Sequence, residues 1–437
     1  MRRVPKPGGP SAVAALACVA ALLLGAASAK AKPGDLDSSF GTKGRLVTSF
    51  ARGSDDRATG VVVQPNGKIV AGGSSGGRFA LTRYKPRGTL DRRFGSGGKV
   101  TTRVHGLSEA GGLARGKEGK IVVVGSAEGM FAVARYRRNG SLDRAFGHRG
   151  KLTTDFGPGE DAAFAVGLQR DGKIVAAGRA EKGAEFGTDF ALARYRTNGE
   201  LDPSFGAGGK VTTDFGGFEE SVRGLAVQRD GKIVAAGWSG SGGTTLVALA
   251  RYNRDGSLDT EFDLNGKVKT PAGGAWSVAV QPDGKIVLAG WAGAQEGFAV
   301  MRYKANGSID RSFGKRGIAK NRVSDHADDV AVQPGGKIVA VGTYCCRARR
   351  SSFAVVRYRR DGSLDKSFGS HGIVTTAIGK RAPRETAGSV ARAVVVGPGG
   401  KVTVAGYAWK SKIRRFDFAL ARYLGRGVSR LRPKAHH

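Results

Sequence analysis

Polar and apolar residues alternate with a period of two along most of this chain, as they do in strands that bury one face. In the clearest stretch, the alternation predicts strands over Trp276–Gln281, Lys285–Ala289 and Phe298–Tyr303, with a tight Pro-Asp-Gly turn between the first two. A fourth strand is expected near Lys315–Asn321, after an Asn-Gly turn. Helical spacing is absent throughout. The pattern therefore predicts a chain of short antiparallel strands.

A recurring sequence phrase sets the spacing of these strands. Leu-Asp-x-x-Phe-Gly, with small variations, begins at positions 36, 90, 142, 201, 258, 309 and 364, so the period is 51 to 59 residues. Each repeat continues with Gly-Lys-Ile-Val or a close variant and ends in Arg-Tyr. A period of this length is typical of propellers, solenoids and arrays. Four antiparallel strands in each repeat favour the blade of a β-propeller.

Two segments of the repeat carry a family resemblance. The phrases Val-Gln-Pro-Asp-Gly-Lys-Ile-Val and Leu-Asp-x-Ser-Phe-Gly resemble the delta-60 repeat family of bacterial exported proteins, which is itself similar to NHL-type propellers. The resemblance covers all seven repeats and implies a β-propeller. It implies no activity and transfers no functional residues. In NHL-like blades the strand before the Asp-Gly turn is the innermost one.

With that assignment, the sequence predicts an all-β, seven-bladed β-propeller with four antiparallel strands per blade. The first repeat starts with an outer strand at 36–50 and the last one ends at a third strand, 418–423. We therefore expect the N-terminal strand to join the last blade, which hides strand edges that would otherwise aggregate. An open array is the alternative. The expected domains are a signal peptide (1–31), the propeller (32–424) and a basic C-terminal tail (425–437).

The N-terminal segment and the composition bear on location and partners. Arg2, Arg3 and Lys6 precede an apolar run and Ala-x-Ala-like cleavage sites, which is typical of a secretory signal peptide. The alternative is a membrane anchor, but the run is short and rich in Ala. We expect a monomer that is secreted or extracytoplasmic, with association with the cell wall as one form of that location. The net charge of +35 favours polyanionic partners, although the charge could serve solubility alone.

The repeated Arg of Arg-Tyr is interpreted as structural. In Phe79-Ala-Leu-Thr-Arg83-Tyr84, alternation places Arg83 on the same face as two apolar residues. A buried guanidinium needs an acid, and every repeat supplies one in Leu-Asp. The sequence therefore predicts ion pairs such as Arg135 with Asp143, Arg302 with Asp310 and, through ring closure, Arg422 with Asp37.

Functional residues are expected where the repeats differ, on loops held by a rigid scaffold. The longer loops of the sixth and seventh repeats carry a basic set that predicts a polyanion-binding face: Arg347, Arg349, Arg350, Lys380, Arg381, Arg384, Lys410, Lys412, Arg414 and Arg415. Aromatic residues at loop positions predict stacking on a ligand: Trp238, Trp291, Tyr407 and Trp409. Packing at blade edges is the alternative role for them.

Acids at equivalent positions before the inner strands suggest a second kind of site: Asp56, Asp161, Glu220 and Asp325. Such a ring at the channel mouth would hold a divalent cation or orient a sugar; capping turns is the ordinary role of acids there. No Ser-His-Asp, His-cluster or Cys-His constellation is visible, and no nucleic-acid-reading motif. The leading hypothesis is a non-catalytic binding module for a polyanionic polymer or protein partner, with no cofactor expected. The alternative is a propeller hydrolase or lyase that uses a divalent cation.

Overall fold

The computed structural model describes residues 31–183, 187–293, 297–345, 351–379, 388–410 and 415–426. Within them the chain is built of β-strands, with two single 3-10 turns at Lys117–Gly119 and Pro398–Gly400. No helix in the described ranges has the length and apolar character that a membrane crossing requires. The predicted signal peptide lies outside these ranges except for residue 31, and so does most of the C-terminal tail.

The strands are numbered along the chain. The first eight are β1 (Arg45–Thr48), β2 (Asp56–Val63), β3 (Ile69–Ser75), β4 (Phe79–Tyr84), β5 (Lys99–Thr102), β6 (Ser108–Arg115), β7 (Ile121–Ala127) and β8 (Met130–Tyr136). They are followed by β9 (Lys151–Thr154), β10 (Ala162–Leu168), β11 (Ile174–Glu181), β12 (Thr188–Tyr195), β13 (Lys210–Thr213), β14 (Glu219–Val227), β15 (Ile233–Ser241) and β16 (Thr244–Tyr252).

The second half continues with β17 (Lys267–Thr270), β18 (Gly274–Val280), β19 (Ile286–Trp291), β20 (Phe298–Tyr303), β21 (Ile318–Lys320) and β22 (Ala327–Val332). The last strands are β23 (Ile338–Cys345), β24 (Ser351–Tyr358), β25 (Ile373–Thr376), β26 (Ser389–Val396), β27 (Val402–Lys410) and β28 (Arg415–Tyr423). The strand predicted at 298–303 is confirmed with its bounds, and the other three predicted in that repeat are confirmed with bounds shifted by a few residues.

The strands form antiparallel units of four, but the prediction of a seven-bladed propeller is wrong. Five sheets have four strands each, whereas β10 to β17 form a single eight-stranded sheet. Its two four-stranded halves are joined by one parallel bridge between Thr188 of β12 and Glu219 of β14. The Thr188 hydroxyl donates to the Glu220 carbonyl at 2.9 Å, and the Phe218 carbonyl accepts the Thr188 N–H at 2.9 Å. This local backbone pairing has no counterpart in the repeated sequence.

The ring closes as the sequence predicts. β1 pairs antiparallel with β28, with Arg45 opposite Ala421 and Thr48 opposite Phe418, so the N-terminal strand completes the sheet of β26, β27 and β28. The first strands of successive units contact one another around the ring, and β26 contacts β2. We call these seven strands, which surround the axis, the inner strands: β2, β6, β10, β14, β18, β22 and β26. The open-array alternative is thereby excluded.

The predicted Arg–Asp pairs are confirmed in every repeat. The nitrogen-to-oxygen distance is 2.9 Å between Arg135 Nε and Asp143 Oδ2, and 2.8 Å between Arg302 Nε and Asp310 Oδ2. Across the closure, Arg422 Nε lies 2.9 Å from Asp37 Oδ2. The other four pairs, Arg83–Asp91, Arg194–Asp202, Arg251–Asp259 and Arg357–Asp365, measure between 2.5 and 2.8 Å.

Each of these arginines also connects neighbouring units. The guanidinium of Arg135 lies over the Phe146 ring, 4.4 Å from its centroid, and donates to the Thr197 carbonyl of the next unit at 2.5 Å. The same two contacts recur at Arg422, with the Phe40 ring at 4.4 Å and the Pro86 carbonyl at 2.5 Å. The N–H donors in the plane of a guanidinium bind the carboxylate and the carbonyl, and its flat face stacks on the aromatic ring. The repeated residues therefore build the scaffold.

Candidate functional site

Each inner strand contains one register shift against its neighbour. A β-bulge re-aims one side chain out of the regular alternation. The residues at these shifts occupy equivalent places around the ring: Thr59, Gly111, Phe164, Arg223, Trp276, Asp328 and Arg392. All of them line a cavity of about 620 Å³ on the propeller axis, here called the central channel. Its lining differs from unit to unit, unlike the Arg–Asp pairs.

Arg223 is the main cationic feature of the central channel. Its guanidinium lies 3.7 Å from the centroid of the Phe164 ring, 4.6 Å from that of Trp238 and 5.0 Å from that of Trp276. Among the described residues, no carboxylate lies within 4.0 Å of this guanidinium, and its buried Nε has no hydrogen-bond partner. Arg223 therefore differs from the repeated arginines, each of which has an acid.

The surroundings of Arg223 oppose its charge. Burial, together with the positive charges of Arg179 and Arg392, lowers the pKa of Arg223 to about 9. Arg179 also has a buried Nε without a hydrogen-bond partner in the described part of the chain. A bound anion would offset both the desolvation and the repulsion, because opposite charge nearby favours the ionised form. Aromatic faces supply only part of that compensation.

Three tryptophans form one wall beside Arg223. The ring centroids of Trp238 and Trp276 are 5.1 Å apart, those of Trp238 and Trp291 5.6 Å, and those of Trp276 and Trp291 5.9 Å. The His326 ring lies 5.5 Å from Trp276. Trp276 lines the channel and is only half-buried, so part of an aromatic surface faces the cavity. Such a surface offers apolar contact to a ligand that enters the channel.

Asp328 and Arg392 form a polar wall. Arg392 Nη1 donates to Asp328 Oδ1 at 2.5 Å, and Arg392 Nη2 donates to the Tyr407 hydroxyl at 3.3 Å. His326 Nε2 lies 3.5 Å from the same Asp328 oxygen. Burial opposes protonation of His326, but Asp328 raises its pKa overall. The Asp328 side chain is 3% exposed, and its Oδ2 has no hydrogen-bond partner within the described ranges.

The predicted stacking residues divide between two environments. Trp238 and Trp291 belong to the tryptophan wall, and Tyr407 lines the channel. Trp409 is buried, with its ring 5.4 Å from that of Phe416. Of the four, only Tyr407 lines the channel; Trp238 and Trp291 lie behind it against Trp276, and the position of Trp409 fits the packing role.

Three of the four predicted acids accept backbone hydrogen bonds. Asp56 accepts the Phe50 N–H at 2.8 Å, Asp161 the Phe156 N–H at 2.7 Å, and Glu220 the Phe215 N–H at 2.8 Å. Each bond closes a loop that carries a phenylalanine, as acids commonly do at turns. Burial raises the pKa of Asp161 and of Glu220 above the ordinary range. Asp325, the fourth, is exposed.

One acidic group contains a predicted metal residue. Ligand oxygens of Glu220, Asp189 and Asp214 lie within 4.8 Å of one another, the only such group of three in the described part of the chain. Lys182 Nζ lies 2.8 Å from Asp189 Oδ1, and Asp189 raises the pKa of this lysine. Glu220 also accepts the Gly217 N–H and the Ser239 hydroxyl at 2.7 and 2.9 Å. Several carboxylate oxygens of the three acids therefore already accept hydrogen bonds from groups of the protein.

The predicted basic face is described at only two residues. Lys410 Nζ lies 3.5 Å from Asp417 Oδ2, and Arg415 is exposed. The remaining eight residues lie outside the described ranges: Arg347, Arg349, Arg350, Lys380, Arg381, Arg384, Lys412 and Arg414. This face stays a prediction.

Sheets arranged around a central channel and closed by the N-terminal strand define a β-propeller. In agreement, a family model described as "Domain of unknown function (DUF5122) beta-propeller" matches residues 64–94, 118–146, 169–205, 228–262, 281–313 and 333–368. These six matches support a β-propeller repeat family. No curated protein matches the chain in sequence.

The chain was compared with solved structures, and one of them supports the fold. Virginiamycin B lyase from Staphylococcus aureus superposes with a TM-score of 0.50 at 11% identity, over 86% of this chain and 98% of that one. A protein of unknown function from Dyadobacter fermentans gives a TM-score of 0.45 at 12% identity, over 87% and 97% of the two chains. Identities this low show likeness of fold alone.

Proposed function

We propose that this propeller is a binding module that takes an anionic ligand in its central channel. The observation that carries the proposal is Arg223, a half-buried guanidinium with no carboxylate within ion-pair distance among the described residues. Arg179 and Arg392 lie near enough to repel it. An unpaired charge in a partly desolvated place is costly. A ligand anion would supply the missing partner.

The charge of the whole chain supports the same class of ligand. A net charge of +35 attracts anions from a distance and raises their local concentration. We retain the predicted basic face, with its residues in 347–350, 380–384 and 410–415, as part of the proposal, as a second contact for a long polyanion. An extracytoplasmic location, and the narrower assignment to the delta-60 repeat family, rest on the sequence patterns and are proposed with it.

The hydrolase or lyase alternative has weaker support. It requires the four predicted acids to act on a cation or a substrate. Three of them, Asp56, Asp161 and Glu220, accept hydrogen bonds from backbone N–H groups, and the fourth, Asp325, is exposed. The group around Glu220 is next to a lysine that already pairs with one of its members. A divalent cation would have to compete with that ammonium group.

The test compares two variants that remove the same charge. Arg223→Gln deletes the channel guanidinium, whereas Arg229→Gln deletes an exposed one in the turn that follows the same strand. Binding of inorganic sulfate and of a polyglycerol phosphate polymer is measured by calorimetry at graded salt. A hydrogen bond to a charged group is worth about 1.5–3 kcal/mol, which is roughly a 10- to 150-fold change in affinity.

We expect Arg223→Gln to weaken binding by at least tenfold and Arg229→Gln to leave it within about twofold, a range set by the small worth of exposed charges. Thermal unfolding of both variants establishes that each is folded. Equal, small effects from the two substitutions would contradict the channel as the site. If Arg223→Gln retains its affinity and a third variant, Arg415→Gln, shows a weaker dependence of binding on salt, the site lies on the basic face instead.

A further inference from the structure

We infer that the ligand of the central channel is a sugar acid, meaning a sugar ring that carries a carboxylate. This rests on the proposed function and adds the ligand's chemical class to it. Three features of the channel act together: a guanidinium with no carboxylate partner among the described residues, an aromatic wall, and a wall of charged side chains. Each of them matches a different part of such a molecule.

The guanidinium and the aromatic wall are adjacent. Trp276 lies 5.0 Å from the Arg223 guanidinium and faces the cavity with part of its ring. A ligand whose carboxylate reaches Arg223 therefore places its neighbouring atoms against an apolar, planar surface. The C–H face of a sugar ring or the face of an aromatic ring suits that surface. A small inorganic anion would leave it uncovered.

The polar wall favours a sugar ring over an aromatic ring. Asp328 lines the same cavity with a side chain that is 3% exposed; its Oδ1 accepts from Arg392, and its buried Oδ2 has no hydrogen-bond partner in the described chain. Arg57, Glu109 and Arg392 also line the cavity. An ionised carboxylate only accepts hydrogen bonds, and the exposed carboxylate of Glu109 can accept one from a ligand hydroxyl group. An aromatic acid without hydroxyl groups would leave these polar groups without hydrogen bonds from the ligand, which would lower its affinity.

The size of the cavity is compatible with this class. At about 620 Å³ it falls within the range of about 300–1,000 Å³ that small-molecule sites occupy. Those sites combine apolar walls with a few placed polar groups, which is the arrangement of Trp276, Arg223 and Asp328 here.

Tryptophan fluorescence gives a direct assay. The chain has four tryptophans, and three of them form the wall beside Arg223, while Trp409 packs elsewhere. The intact protein is titrated with D-glucuronate, D-glucose, acetate and benzoate. Glucose lacks the charge, acetate lacks the ring, and benzoate lacks the hydroxyl groups. The variants are Trp276→Phe and Asp328→Asn, with Trp409→Phe as the matched control.

We expect saturable fluorescence change with glucuronate and at least tenfold weaker binding of the other three probes. Trp409→Phe should keep the response, and Trp276→Phe or Asp328→Asn should weaken glucuronate binding at least fivefold. No response to glucuronate, or binding of acetate, glucose or benzoate as tight as that of glucuronate, overturns the sugar acid. If acetate equals glucuronate while Arg223→Gln abolishes both, the anion site stands and only the ligand class is wrong. If Arg223→Gln changes nothing, the proposed function itself is wrong.

Discussion

Replacing Asp37 by Asn tests how the ring is held closed. Asp37 Oδ2 accepts hydrogen bonds from Arg422 Nε at 2.9 Å and lies 2.8 Å from Lys401 Nζ, while Oδ1 accepts the Ser39 hydroxyl at 2.6 Å. The side chain of Asp37 is 6% exposed and that of Arg422 8% exposed. The substitution keeps the shape of the side chain and leaves Arg422 without a carboxylate partner among the described residues.

The expected magnitude follows from that burial. Removing one partner of a buried ion pair costs about 3–5 kcal/mol, because the other charge is left uncompensated. The contact joins residues that are 385 positions apart and lies beside the pairing of β1 with β28. We therefore expect the loss to appear first as opening of β1. At about 1.4 kcal/mol for each factor of ten, its amides should exchange between about one hundred and a few thousand times faster.

Hydrogen exchange followed by mass spectrometry measures this for residues 45–48. The control is Asp365→Asn, which breaks the equivalent pair with Arg357, 2.8 Å long, inside a sheet whose four strands are consecutive in the chain. It should destabilise its own sheet and leave β1 protected. The reasoning is refuted if Asp37→Asn leaves the exchange of β1 unchanged, or if the control exposes β1 to the same extent.

Three further outcomes follow from buried polar groups. Burial alone would raise the pKa of Asp37, but hydrogen bonds from Lys401 and Ser39 and the charge of Arg422 lower it to about 2. The stability difference between wild type and Asp37→Asn, present above about pH 4, should therefore shrink in thermal melts as the pH falls toward 2. Burial raises the pKa of Asp329 to about 6, so between about pH 4 and 6 the folded state binds more protons than the unfolded state. The stability of the protein should therefore fall as the pH rises through this range, and Asp329→Asn should flatten that slope. Tyr195→Phe removes a buried hydrogen bond of 2.8 Å to Thr154 and should cost about 1 kcal/mol in urea unfolding, and a gain in stability would contradict this.

The scaffold could be predicted from sequence because its residues repeat. An Arg on an apolar face and an Asp eight residues later recur throughout, so pairs such as Arg135 with Asp143 follow from burial and charge alone. The eight-stranded sheet could not be predicted, since it depends on one backbone bridge between Thr188 and Glu219. The acids predicted for a cation also repeat; Asp161 accepts a backbone N–H, a role that the sequence does not distinguish from cation binding, and the cation site stays a prediction.

The channel residues escaped the sequence analysis for the opposite reason. Register shifts place one residue of each inner strand in the channel, and at that position Thr59, Phe164, Arg223 and Asp328 share neither charge nor size. At scaffold positions the packing is the same in every unit and requires the same type of residue. A position that varies within such strands therefore has no structural role that all units share. Aligning the repeats and asking which inner-strand position varies would have pointed to this set. In a repeat protein, such a position between uniform neighbours is where a single asymmetric ligand can be recognised.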